Sequence, residues 1–105
     1  MTTTPAAYYV LDGHEPKLAD FEAWCGMLMR PERVIAQTIV APGTAVSTVF
    51  IGIDHPLGRR PPRLFETMLF NDYGGFSQRR YNTWGEAEAG HLEVVAETLA
   101  RLAPE

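Results

Sequence analysis

The chain has 105 residues, 46% hydrophobic and 10% aromatic, with a formal net charge of −4. That is enough apolar material for one folded domain over residues 1–105, which excludes intrinsic disorder, and the acidity disfavours direct nucleic-acid binding. The single cysteine, Cys25, excludes an intramolecular disulfide and a cysteine-based zinc site, and fits a reducing cytoplasm.

Met1–Thr4 and Pro104–Glu105 read as frayed ends. Ala6–Leu11 is a short β-prone run closed by the turn dipeptide Asp12-Gly13. Pro16 suits the first turn of a helix, and Leu18, Phe21, Cys25 and Leu28 recur at helical spacing with Trp24 beside them. Pro31 ends that helix. Arg33–Ala41 is rich in β-branched residues and predicts a strand, closed by the turn Pro42-Gly43. Ala45–Asp54 predicts a strand apolar on both faces, hence central in a covered sheet, with Gly52 marking a bulge or a close approach. A loop over 55–62 leads to a strand over Arg63–Phe70. Residues 71–79 read as a loop from their Asn, Asp and paired Gly, followed by a short strand at Arg80–Asn82.

Thr83-Trp84-Gly85-Glu86 matches a capping box and starts a helix that runs to about Ala103. Trp84, His91, Val95 and Leu102 share its apolar stripe, flanked by Ala87, Val94 and Leu99, with Glu86, Glu93 and Glu97 opposite. No apolar run approaches the ~20 residues of a membrane span, and no signal peptide is apparent. The fold class is therefore α+β. An antiparallel sheet of three to five strands, in the order β-α-β-β-β-(β)-α, packs against two helices.

Few residues carry chemistry. His91 lies in an apolar stripe, and Glu66 alternates with Leu64, Met68 and Phe70, so each points at a core. A buried carboxylate must be paired or protonated, which makes Glu66 the natural partner for His91. The plainer reading gives each a separate structural partner. Asp54 and His55 stand at a strand end, where loops carry function on rigid supports. Arg79, Arg80, Tyr81 and Trp84 combine anion-binding forks with stacking faces. The plainer reading has the arginines neutralise the acidic last helix. Residues 54–80 hold five arginines against three acids, whereas 81–105 hold five glutamates against Arg101.

No catalytic residue is assigned. Cys25 lies on the inner face of its helix, Ser47 and Ser77 lack a nucleophile elbow, and Gly74-Gly75 is no phosphate loop. No metal is expected, since HxH and HExxH spacings are absent and Asp54, His55, Glu66 and His91 would have to converge through the fold. No cofactor is expected either.

Three segments carry a resemblance: Val46–His55 (VSTVFIGIDH), Pro61–Phe70 (PPRLFETMLF) and Arg80–His91 (RYNTWGEAEAGH). Together they make the chain resemble a family of short, uncharacterised proteins encoded by phages and prophages. Where that family has Gly- or Asn-rich residues after the Asp-His pair, this chain has Pro56-Leu57-Gly58-Arg59-Arg60. The resemblance implies a phage or prophage origin, hence the host cytoplasm; it does not point to any particular activity.

The expected function is a small, non-enzymatic binding protein that acts on a protein or other macromolecule of the host or phage, for instance as an inhibitor of a bacterial defence system. In that case Glu86, Glu93 and Glu97 are the candidate contact, acting as an acidic mimic. One alternative is a nucleotide-binding sponge or weak hydrolase using Asp54, His55, Glu66, Arg79, Arg80 and Tyr81. Another is an accessory or structural phage protein that self-associates as a homodimer through a sheet edge.

Overall fold

The computed structural model describes residues 6–54 and 60–103. Nine elements follow in chain order: β1 (Ala7–Asp12), β2 (Glu15–Ala19), α1 (Phe21–Leu28), β3 (Val34–Ala41), β4 (Thr44–Phe50), β5 (Ile53–Asp54), β6 (Phe65–Asn71), β7 (Gly74–Tyr81) and α2 (Trp84–Leu102). A single 3-10 turn, Pro31–Arg33, joins α1 to β3. The strands form two antiparallel sheets, β2-β1-β5 and β3-β4-β6-β7. The fold is α+β, with the strands divided between two sheets.

The first sheet begins as a hairpin. Asp12 pairs with Glu15 across Gly13-His14, and Gly13 has φ +63°. A glycine at the first loop position gives a turn whose twist matches the flanking strands. The hairpin corrects the helix expected from Pro16. Pro16 sits in β2 opposite Leu11, and Leu18 is 72% exposed. The helix starts only at Phe21, where the Asp20 carboxylate accepts from the Ala23 N–H at 2.8 Å. Proline at a strand edge and proline at a helix start look alike in sequence; the turn before it decides. Helix α1 packs on β1 through a ring cluster, with Tyr8 5.0 Å from Trp24 and 5.3 Å from Phe21. Cys25 is half-buried.

The second sheet is a meander interrupted once. After Phe50 the chain turns at Gly52, φ +65°, and lends Ile53-Asp54 to the first sheet beside Ala7-Tyr8. It then returns to place β6 against β4. The span Ala45–Asp54 is thus two strands in two sheets, and Gly52 marks a close approach as expected. Residues 74–81 form a full strand rather than a loop, because Asn71 pairs with Gly74 and the Asn71 side chain accepts from the Tyr73 N–H at 2.8 Å. That turn leaves the two glycines inside the strand, where the Phe70 ring lies over Gly75.

Helix α2 crosses all four strands of the second sheet. Its capping box is formed as expected. Thr83 Oγ1 accepts from the Glu86 N–H at 3.1 Å and Glu86 Oε1 accepts from the Thr83 N–H at 3.1 Å. Thr83→Ala is expected to lower stability by about 1 kcal/mol in urea unfolding. The buried side of α2 is Ala87, Gly90, His91, Val94 and Thr98, whereas Leu92, Leu99 and Leu102 are exposed. The stripe is rotated from the one expected because close approach selects small residues: a Cβ on Gly90 would stand 2.2 Å from the Tyr81 ring.

The interior has two ends of different character. Met27, Phe50, Leu64, Phe65 and Ala87 form an apolar cluster where the first sheet and the start of α2 meet, with Tyr9 and Trp84 against it. Burying a side chain of phenylalanine size contributes about 2–3 kcal/mol. Farther along α2 the filling turns polar, with Thr48, Thr67, His91 and Thr98 all buried.

Candidate functional site

Strand register assigns each candidate side chain to a face. Thr48 pairs with Thr67, and both meet α2; Val49 pairs with Glu66, which therefore points the other way. Glu66 and His91 lie on opposite faces of the sheet and do not meet.

His91 is 2% exposed and spans two hydroxyls. Its Nε2 lies 2.8 Å from Thr38 Oγ1 and its Nδ1 2.8 Å from Thr48 Oγ1. The chain continues from Thr48 to Thr67 at 2.6 Å and from Thr67 to Tyr81 Oη at 3.0 Å. Hydroxyls accept or donate, so this set satisfies either neutral tautomer and also the imidazolium. Burial lowers the His91 pKa below its ordinary value. Tyr81 is the far end of this relay and packs on Gly90, so its role is architectural.

The charged candidates are each engaged. Glu66, with 13% of its side chain exposed, accepts from Ser77 Oγ at 2.8 Å and Arg80 Nε at 3.0 Å. Asp54 is buried and takes Arg60 Nη1 at 2.7 Å. His55 and Arg59 lie outside the described residues. Arg79 joins Glu93 at 2.6 Å and also Glu97, and its pKa is raised, first by the hydrogen bond to Glu97. The acidic face of α2 is accordingly part-neutralised from β7, and Glu86 is committed to the cap. Asp54, Glu66 and His91 do not converge. Among the described residues no group of three or more His, Cys, Asp or Glu is placed to hold a metal ion. Among them also, no helix is long and apolar enough to cross a membrane.

Two features do gather. The first is the sheet face turned away from α2. Register lines up Ile39, Ala45 and Phe70 in one row, Gln37, Ser47 and Met68 in the next, and Val49, Glu66 and Arg80 in the third. Ile39 is 78% and Phe70 44% exposed. This corrects the expectation of a sheet covered on both sides: the central strand β4 is apolar on both faces, but α2 covers one.

The second is the corner where α2 begins, and Trp84 belongs to it. Two hollows adjoin there and share Pro61 and Asn82. One, of about 580 Å³, has Tyr9, Pro62, Leu64 and Trp84 in its walls. The other, of about 270 Å³, holds Arg60, Arg63 and Arg80. His14 lies flat on Trp84, with centroids 3.8 Å apart and planes 5° from parallel. Of this corner the sequence singled out Arg80, Tyr81 and Trp84. It counted Arg63 only within the arginine excess of residues 54–80, without joining it to Arg80 and Trp84, and it missed His14, whose only signal was its place in a turn. Neither the family models, nor the curated proteins, nor the solved structures compared with this chain give a match.

Proposed function

We propose that the chain is a small non-enzymatic binding protein of phage or prophage origin that acts on a protein of the host or phage through the uncovered face of its four-stranded sheet. The observation that carries this reading is the row Ile39–Ala45–Phe70 with Val49 and Met68 beside it, apolar side chains that no helix covers among the described residues. A contiguous exposed apolar patch with a polar border marks a protein contact more often than a bare surface. Here Glu66, Ser77 and Arg80 supply the border. The non-enzymatic part rests on a second fact: His91, Glu66, Asp54 and Arg79 are each held by a structural partner. An inhibitor of a bacterial defence system is one form of this reading. The contact moves from the acidic helix face to the sheet.

Affinity purification from host lysate tests it. Ile39→Lys sits on the most exposed member of the row and leaves the core untouched. It is expected to reduce recovery of a specific partner at least about tenfold, the scale of an interface hot spot, with an unchanged circular dichroism spectrum. Equal recovery by wild type and Ile39→Lys overturns the reading. A homodimer in light scattering that Ile39→Lys dissociates also overturns it, in favour of self-association.

A further inference from the structure

We propose that the corner at the start of α2 is a binding site for a nucleoside phosphate, with the phosphate among the arginines and an amino-bearing ring in the adjoining cleft. The site meets the border of the sheet face at Arg80, but its reading does not depend on a partner bound to that face.

The arginine hollow fits an anion. Arg63 has no hydrogen bond or ion pair among the described residues, and Arg80 uses only its Nε, on Glu66. Three guanidinium nitrogens of Arg63 and two of Arg80 are thus left to fork onto phosphate oxygens. Arg60 adds charge nearby while holding Asp54. The acid in this hollow, Glu86, already accepts from the Asn82 and Thr83 N–H groups at 3.2 and 3.1 Å and from Thr83 Oγ1 at 3.3 Å.

The larger hollow fits a flat ring with donors. Its volume of about 580 Å³ falls in the range of small-molecule sites. Tyr9, Pro61, Pro62 and Trp84 offer flat apolar walls, and the His14 imidazole already stacks on the indole. Glu15 and Glu88 line the same hollow, exposed and without partners among the described residues. Carboxylates there repel a phosphate and accept from the amino N–H groups of such a ring. The two hollows therefore sort the two ends of one ligand, and Asn82, common to both, has a side-chain amide able to donate or accept between them.

The full chain, labelled with ¹⁵N, is titrated with adenosine 5′-monophosphate, with adenosine and with inorganic phosphate. The Trp84 indole N–H and the arginine Nε–H signals are followed. The Trp24 indole, which donates to the Ile51 carbonyl at 2.9 Å, reports an intact fold. The monophosphate is expected to move both sets saturably and to bind at least about tenfold more tightly than either half alone. Arg63→Ala should weaken it about tenfold. Glu88→Gln should weaken adenosine and leave phosphate unchanged. Monophosphate binding no tighter than phosphate, or unaffected by Arg63→Ala, overturns the site.

Discussion

Replacing His91 with leucine is expected to lower the stability of the protein by about 3 kcal/mol at pH 7.5, read from urea unfolding. The ring ties β3 and β4 to α2 through Thr38 and Thr48. Leucine fills similar space but takes a partner from the buried Thr48 hydroxyl and from the half-buried Thr38 hydroxyl, and each unsatisfied buried group costs about 1–3 kcal/mol. The wild type should also lose stability in acid, by a route the sign of the shift dictates. Burial holds the folded-state pKa of His91 below the 6.5 of an unfolded histidine. Between those two values the unfolded chain binds more protons, so stability rises with pH. The contribution is complete above about pH 6.5 and is lost as pH falls through the folded value. His91→Leu should flatten that part of the profile. An unchanged slope between pH 7.5 and 5 would sink the assignment.

The second large effect is expected at Gly52. An alanine Cβ there would stand 2.7 Å from the Phe50 ring and 2.7 Å from the Tyr9 carbonyl oxygen, at φ +65°. The left-handed conformation costs a side chain about 1–2 kcal/mol, and the overlap adds about 1–3 kcal/mol. The backbone has little room to yield, because the Tyr9 N–H donates to the Gly52 carbonyl at 2.8 Å and the Gly52 N–H to the Leu64 carbonyl at 3.2 Å. Gly13→Ala supplies the control. It has φ +63° but nothing within 4 Å of the new Cβ, so it should cost only about 1–2 kcal/mol. Equal losses at the two positions would mean that the crowding at Gly52 relaxes freely.

Some of this was legible residue by residue. The capping box at Thr83 and Glu86 is local chemistry over four positions, and it formed where the pattern put it. Strands β3 and β6 follow from β-branched and alternating runs. His91 reads as buried from its helical spacing. Its partners were not legible, because whether Glu66 or Thr48 meets it depends on the parity of a strand pairing. A one-residue shift exchanges the faces. The hairpin β1-β2 was misread for a similar reason: Pro16 is compatible with a helix start and with a strand edge, and the turn at Gly13 chose between them.

By itself the sequence determined the α+β class, a single domain's worth of apolar residues, the long C-terminal helix with its cap, and a close backbone approach at Gly52. These depend on spacing and on backbone freedom, which are properties of neighbours along the chain. Only the tertiary structure decided that the strands split into two sheets, that Glu66 and His91 stand back to back, that α2 lies on one face of the four-stranded sheet, and that Arg63 comes beside Arg80 at the head of α2. Each of these joins residues far apart in sequence through register and packing, and no local pattern encodes either.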